Sequence, residues 1–167
     1  MNSFIPALIA VLLAEYGGRA TMFTRLPRLS LAATLLGLAV GVSAFAGFSL
    51  APVMNAQARA LMLGIALILT GFGQFGKPPS GDPPSSLAGT FLFVWRSGAP
   101  FLAFAFAIWK SSPIGAAAGA LAGIVAAVAL GAVPLSPRHL ILLRRLAGAA
   151  MTVIGIYAAL WALRLIA

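Results

Sequence analysis

The chain has no cysteine, which excludes disulfides, thiolate metal sites and cysteine nucleophiles together. Acidic side chains are scarce: Glu15 and Asp82 are the 2 among 167 residues, against 11 lysines and arginines. Histidine occurs once, as His139, so no imidazole pair can hold a metal, and no serine has credible histidine and acid partners. Enzyme activity and a resident cofactor are not expected. The opening "MNSFIP" has no basic region and leads into a run carrying Glu15, so it is expected to be a mature helix rather than a cleaved signal peptide.

What is abundant is apolar surface. Hydrophobic residues make up 62% and charged residues 8% of the chain, with a mean hydropathy of +1.06. No water-facing surface can be built from that composition without aggregation, so an all-α integral membrane protein is expected. The net charge of +9 comes from basic residues scattered singly or in pairs. Without a basic stripe, nucleic acid is not an expected partner, whereas a lipid bilayer with anionic headgroups is.

Apolar runs between charges and proline or glycine punctuation predict 6 transmembrane segments, near 4–24, 30–51, 57–75, 88–110, 113–133 and 141–163. Most interruptions are short, which implies antiparallel neighbours. The exception is "GKPPSGDPPSS" at 76–86, where 4 prolines, 2 glycines and 3 serines forbid regular structure. It holds Asp82, read as a solvated loop charge. The expected organisation is a single membrane domain: residues 1–75 and 88–167 as three-helix repeats, joined by a loop at 76–87.

Basic residues near segment ends set the expected orientation. One side collects Arg25, Arg28, Lys77, Arg138, Arg144 and Arg145; the other holds Arg59, Lys110 and Arg164. Both termini are therefore expected outside and the central loop in the cytoplasm, with a bacterial inner membrane as the location. Arg144 and Arg145, at the start of the sixth segment, are expected to snorkel to headgroups.

The halves also echo one another. A shift of 81 to 84 residues lays Arg96 on Glu15, Gly98 on Gly17, Gly119 and Gly123 on Gly37 and Gly41, and "GAAMTVIG" (148–155) on "GIALILTG" (64–71). A unit with an odd number of crossings, when repeated, is inverted in the membrane, so two inverted three-helix repeats are expected. Gly37, Gly41, Gly115, Gly119 and Gly123 have the four-residue spacing of helix-packing faces, within the chain or in a homo- or hetero-oligomer.

Two charges fall inside apolar runs, Glu15 in "AVLLAEYGGRATMF" and Arg96 in "FLFVWRSGAPFLAF". Each is followed by helix-weakening residues: Gly17 and Gly18 in the first, Gly98 and Pro100 in the second. A charge deep in hydrocarbon costs about 2.5–3.5 kcal/mol on insertion scales, so both are expected to face protein or water.

These residues resemble a family, the Golgi, chloroplast and bacterial calcium/manganese–proton exchangers, marked by Glu-x-Gly-Asp-Lys-Thr/Ser once in each half. Glu15 and Gly17 match the first motif; Gly18 stands for its aspartate, Arg19 for its lysine and Ala20 for its hydroxyl residue, with Thr21 next. The second keeps Gly98, with Arg96, Ala99, Pro100 and Phe101 at the other positions. The resemblance implies an inverted-repeat antiporter that exchanges a divalent cation, as substrate, for protons. Glu15 would be its metal-binding and proton-carrying residue, with Gly17, Gly18, Arg19, Thr21, Arg96 and Gly98 around it.

With a single motif carboxylate left, Glu15 is expected to form an ion pair with Arg96 across the repeat axis, with Arg19 as the alternative partner. An anion drawn to Arg96 is another possible cargo. A scaffold or auxiliary subunit that binds other helices through its glycine faces is the expectation of a different class.

Overall fold

The computed structural model describes residues 3–16, 29–76, 86–131 and 136–164. Among them the chain is helical throughout: α1 (Phe4–Glu15), α2 (Leu29–Leu50), α3 (Ala56–Gly73), α4 (Leu87–Trp95), α5 (Gly98–Lys110), α6 (Pro113–Gly131) and α7 (Pro137–Ala162). A short 3-10 turn at Ala51–Val53, containing Pro52, closes α2. Asn55 then caps α3, its Oδ1 accepting the Ala58 N–H at 2.7 Å. Ser111, in the left-handed conformation, ends α5, and Pro113 opens α6 at a position where the missing N–H costs nothing.

Four helices are long and apolar enough to cross a membrane, and α4 with α5 make a fifth if that pair, bent by 43°, is counted as one span. The first expected span, near 4–24, is represented by the 12 residues of α1, about 18 Å of helix against the roughly 30 Å of a hydrocarbon core. Residues 17–28 lie outside the described residues, as do residues 77–85 with Asp82.

Large side chains point away from the bundle and small ones fill it. Leu38, Val42, Phe72, Val125 and Val153 are exposed, while Ala7, Ala44, Ala66, Ala103, Ala107 and Ala120 are fully buried. This suits lipid, where apolar side chains gain nothing by leaving the hydrocarbon and helices associate through close backbone packing.

The principal pairings are α3 with α7, α1 with α6, and α2 with α5. In the first, a Cβ added at Gly64 would lie 2.7 Å from the Gly155 carbonyl oxygen, and one at Gly155 2.7 Å from that of Gly64. Gly71 and Gly148 face each other the same way, at 2.7 and 2.8 Å, so the two helices cross antiparallel with their backbones touching. Gly119 and Gly123 do the same for α6 against the Phe4 and Leu8 carbonyls of α1. At Gly115 an added Cβ would lie 2.8 Å from the Ser3 hydroxyl. Gly37 and Gly41 have no such role: a Cβ at either would meet nothing within 4 Å. The glycine that seats α2 on its neighbour is Gly47, against the Phe104 carbonyl of α5.

Polar contacts mark the two ends of the bundle. At one, Ser3 Oγ donates to the Ser112 carbonyl at 3.1 Å and Arg59 Nη1 donates to Ser111 Oγ at 3.0 Å. The Gln57 amide, its oxygen turned toward Arg164, accepts from the Arg164 Nε at 2.7 Å, so both described chain ends lie there. Toward the other end lie the last turns of α1 and α3, the α4–α5 break and the first turns of α7.

Candidate functional site

The break between α4 and α5 follows from three residues within four positions, Ser97, Gly98 and Pro100. Pro100 has no N–H, and in a continuous helix its ring would strike the carbonyl of Arg96, four residues back. Gly98 adds backbone freedom, and Ser97 takes up extended geometry as the cap of α5, its Oγ accepting the Ala99 N–H at 3.2 Å. At the other side of the break, the N–H of Ser97 bonds the Val94 carbonyl at 3.1 Å. In the first turn of α5 this leaves the Gly98 N–H.

Glu15 takes it. Its Oε1 accepts the Gly98 N–H at 3.0 Å, with Gly98 as one of its partners, and the residue is 3% exposed. The carboxylate therefore stands at the N-terminus of a half-helix, where the aligned peptide dipoles favour a negative charge by up to about 2 kcal/mol in partly buried settings. Gly98 permits the approach: a Cβ there would sit 3.1 Å from Thr70 Cγ2 and 3.8 Å from Ala14 Cβ. α5, 13 residues long, rises about 20 Å from this point to Lys110.

The expected ion pair between Glu15 and Arg96 does not form. Arg96 is the exposed C-cap residue of α4, and its backbone N–H bonds the Leu92 carbonyl at 3.0 Å. The same kink that frees the Gly98 N–H for Glu15 ends the helix at Arg96 and leaves its side chain outside the packed interior. Gly17, Gly18, Arg19 and Thr21 fall outside the described residues, so the Arg19 alternative does too. Among the described residues no three histidine, cysteine, aspartate or glutamate side chains gather where a metal ion could be held.

Among the described residues the buried cation is Arg144, 8% exposed on α7 instead of snorkelling to a headgroup. Its Nε donates to Gln74 Oε1 at 2.9 Å and its Nη2 to the Gly73 carbonyl at 3.2 Å. A guanidinium at the C-terminal end of α3 meets the negative pole of that helix. Gln74, also 8% exposed, donates through Nε2 to the Ala14 carbonyl. A chain of hydrogen bonds thus runs from α7 through α3 to the residue beside Glu15.

Sequence reasoning missed both residues, although a signal was present. Arg144, Gly148, Met151 and Gly155 are spaced four, three and four apart, and Gly64, Leu67, Gly71 and Gln74 three, four and three, so each set lies on one helix face. These are the two faces that cross in the α3–α7 contact, and they carry Arg144 and Gln74 at their ends. Arg145 is one residue off the stripe and is exposed.

No protein-family model, curated protein or solved structure matches the chain.

Proposed function

We propose that the chain is a proton-coupled membrane transporter, built as two inverted three-helix repeats, in which Glu15 is the group that binds and releases the proton. One observation carries this: a buried carboxylate seated on the Gly98 N–H at the break of a bent span. A span broken beside a buried ionisable group supplies free backbone groups and a charge-bearing side chain together, which is how transporters commonly hold substrate and coupling ion.

The repeat arrangement is supported by the packing. Exchanging Gly64 with Gly148 and Gly71 with Gly155 turns the Gly64–Gly155 crossing into the Gly71–Gly148 crossing, and in both an added Cβ would lie 2.7–2.8 Å from the facing carbonyl oxygen. Cytoplasmic placement of the end bearing Arg138, Arg144 and Arg145, in a bacterial inner membrane with anionic headgroups, follows from the retention of basic residues on that side.

The cargo proposed is a divalent cation, manganese or calcium, on the resemblance of the Glu15 region to the exchanger motif. Purified protein in sealed vesicles, loaded with a manganese- or calcium-sensitive dye and given a pH gradient, tests it. Cation accumulation that collapses when the gradient is dissipated is the expected result; no accumulation of either ion at any gradient overturns this cargo.

A second reading, a scaffold or auxiliary subunit, draws on the same geometry. Glu15 satisfies an N–H that the kink would otherwise leave unpaired, which is a structural service in itself. Vesicles in which neither cations nor protons move would favour it.

A further inference from the structure

We propose that Gln74 is a positioning residue that, with Arg144, latches the bundle closed over Glu15 on the side where α3 ends; this rests on Glu15 being the proton-carrying group. The amide bonds to two other helices, accepting from one and donating to the other. Its oxygen faces Arg144, which can only donate, and its nitrogen faces the Ala14 carbonyl, which can only accept. Its orientation is therefore set.

The packing places this amide beside the site, on the carbonyl of the residue preceding Glu15. Thr70 lies one turn before Gln74 on α3, and its Cγ2 is the nearest atom to a Cβ added at Gly98, at 3.1 Å. Gly148 of α7 makes room for the latch: a Cβ there would come 2.8 Å from Gln74 Cβ. Arg144 then holds the outer edge, tied to Gly73 and Gln74 together. Separating α1 from α3 and α7 at this end requires Gln74 to leave either Ala14 or Arg144.

The absence of cysteine makes a direct test available. A single reporter, Thr70→Cys, is placed under the latch, and its modification by a membrane-impermeant thiosulfonate is timed from each side of oriented vesicles. With Gln74 and Arg144 intact, modification is expected to be slow. Gln74→Leu and Arg144→Met, each added to the reporter, should speed it about tenfold or more from the α3-terminal side only, as a hydrogen bond to a charged group is lost. Gln74→Glu keeps the contact to Arg144 while losing the donor to Ala14, and serves as the second variant should Gln74→Leu fail to fold. It should fall between the parent and Gln74→Leu.

Rates unchanged by all three substitutions, or raised equally from both sides, overturn the latch. Proton flux in the same vesicles is recorded separately with Glu15→Gln. Loss of flux there with unchanged labelling rates refutes the latch alone, whereas flux that survives Glu15→Gln refutes the function on which it rests.

Discussion

The Glu15 carboxylate lies 3.0 Å from the backbone nitrogen of Gly98, joining residues 83 positions apart at the point where a span bends. The contact joins the final residue of α1 to the first residue of α5, and the rest of the site is built around it.

Removing the acceptor should destabilise the protein more than neutralising it. Glu15→Gln keeps an oxygen for the Gly98 N–H, whereas Glu15→Leu leaves that N–H buried without it, at a cost of about 1–3 kcal/mol. Thermal unfolding in detergent should therefore rank the parent above Glu15→Gln and Glu15→Leu lowest.

Arg96 and Arg144 should behave oppositely. Arg96→Ala touches an exposed cap residue and should alter stability by no more than about 0.5 kcal/mol. Arg144→Met removes bonds to Gln74 and Gly73 and leaves buried acceptors behind, so a loss of about 2 kcal/mol or more is expected by the same assay. Equal effects would show that the two side chains are not differently housed.

The glycines divide in the same manner. Gly119→Ala and Gly123→Ala drive a methyl into the Phe4 and Leu8 carbonyls and should lower the melting temperature. Gly37→Ala and Gly41→Ala enter open space and should be neutral or stabilising, by up to about 1 kcal/mol each from the better helix propensity of alanine.

Gly64 and Gly155 offer a coupled test. A Cβ added at either would lie 2.7 Å from the other's carbonyl oxygen, so either Gly→Ala change pushes α3 and α7 apart. Once they are separated, the second methyl enters a gap already opened, and the double variant should lose less stability than the sum of the singles. Strict additivity in a double-mutant cycle would contradict the crossing.

Much of the helical layout was legible because the apolar runs are long and proline-punctuated. The expected 30–51, 57–75 and 113–133 became Leu29–Leu50, Ala56–Gly73 and Pro113–Gly131. The expected 88–110 became two helices, and its break lies beside the Gly98 and Pro100 marked as weakening it. α7 begins four residues early, at Pro137 behind a Ser136 cap, because a proline at the first helical position opens a helix and the polar Arg138 and His139 after it, read as part of the preceding interruption, ride on its first turn. Pairing Glu15 with Arg96 treated two inward charges as complementary by sequence alone. It overlooked that a helix break presents backbone N–H groups able to meet a carboxylate and turns the residue before it outward. Gly37 and Gly41 share the spacing of Gly119 and Gly123 but not their neighbour, and only the packed helices separate the two cases.

The most direct test of Glu15 as the proton-carrying group is proton flux into vesicles of the purified protein, followed with an internal pH dye, for the parent and Glu15→Gln side by side. The account predicts flux in the parent and none in a Glu15→Gln variant that retains its helicity and melting behaviour. Equal flux in both proteins, or none in either across a range of cation gradients, would contradict it.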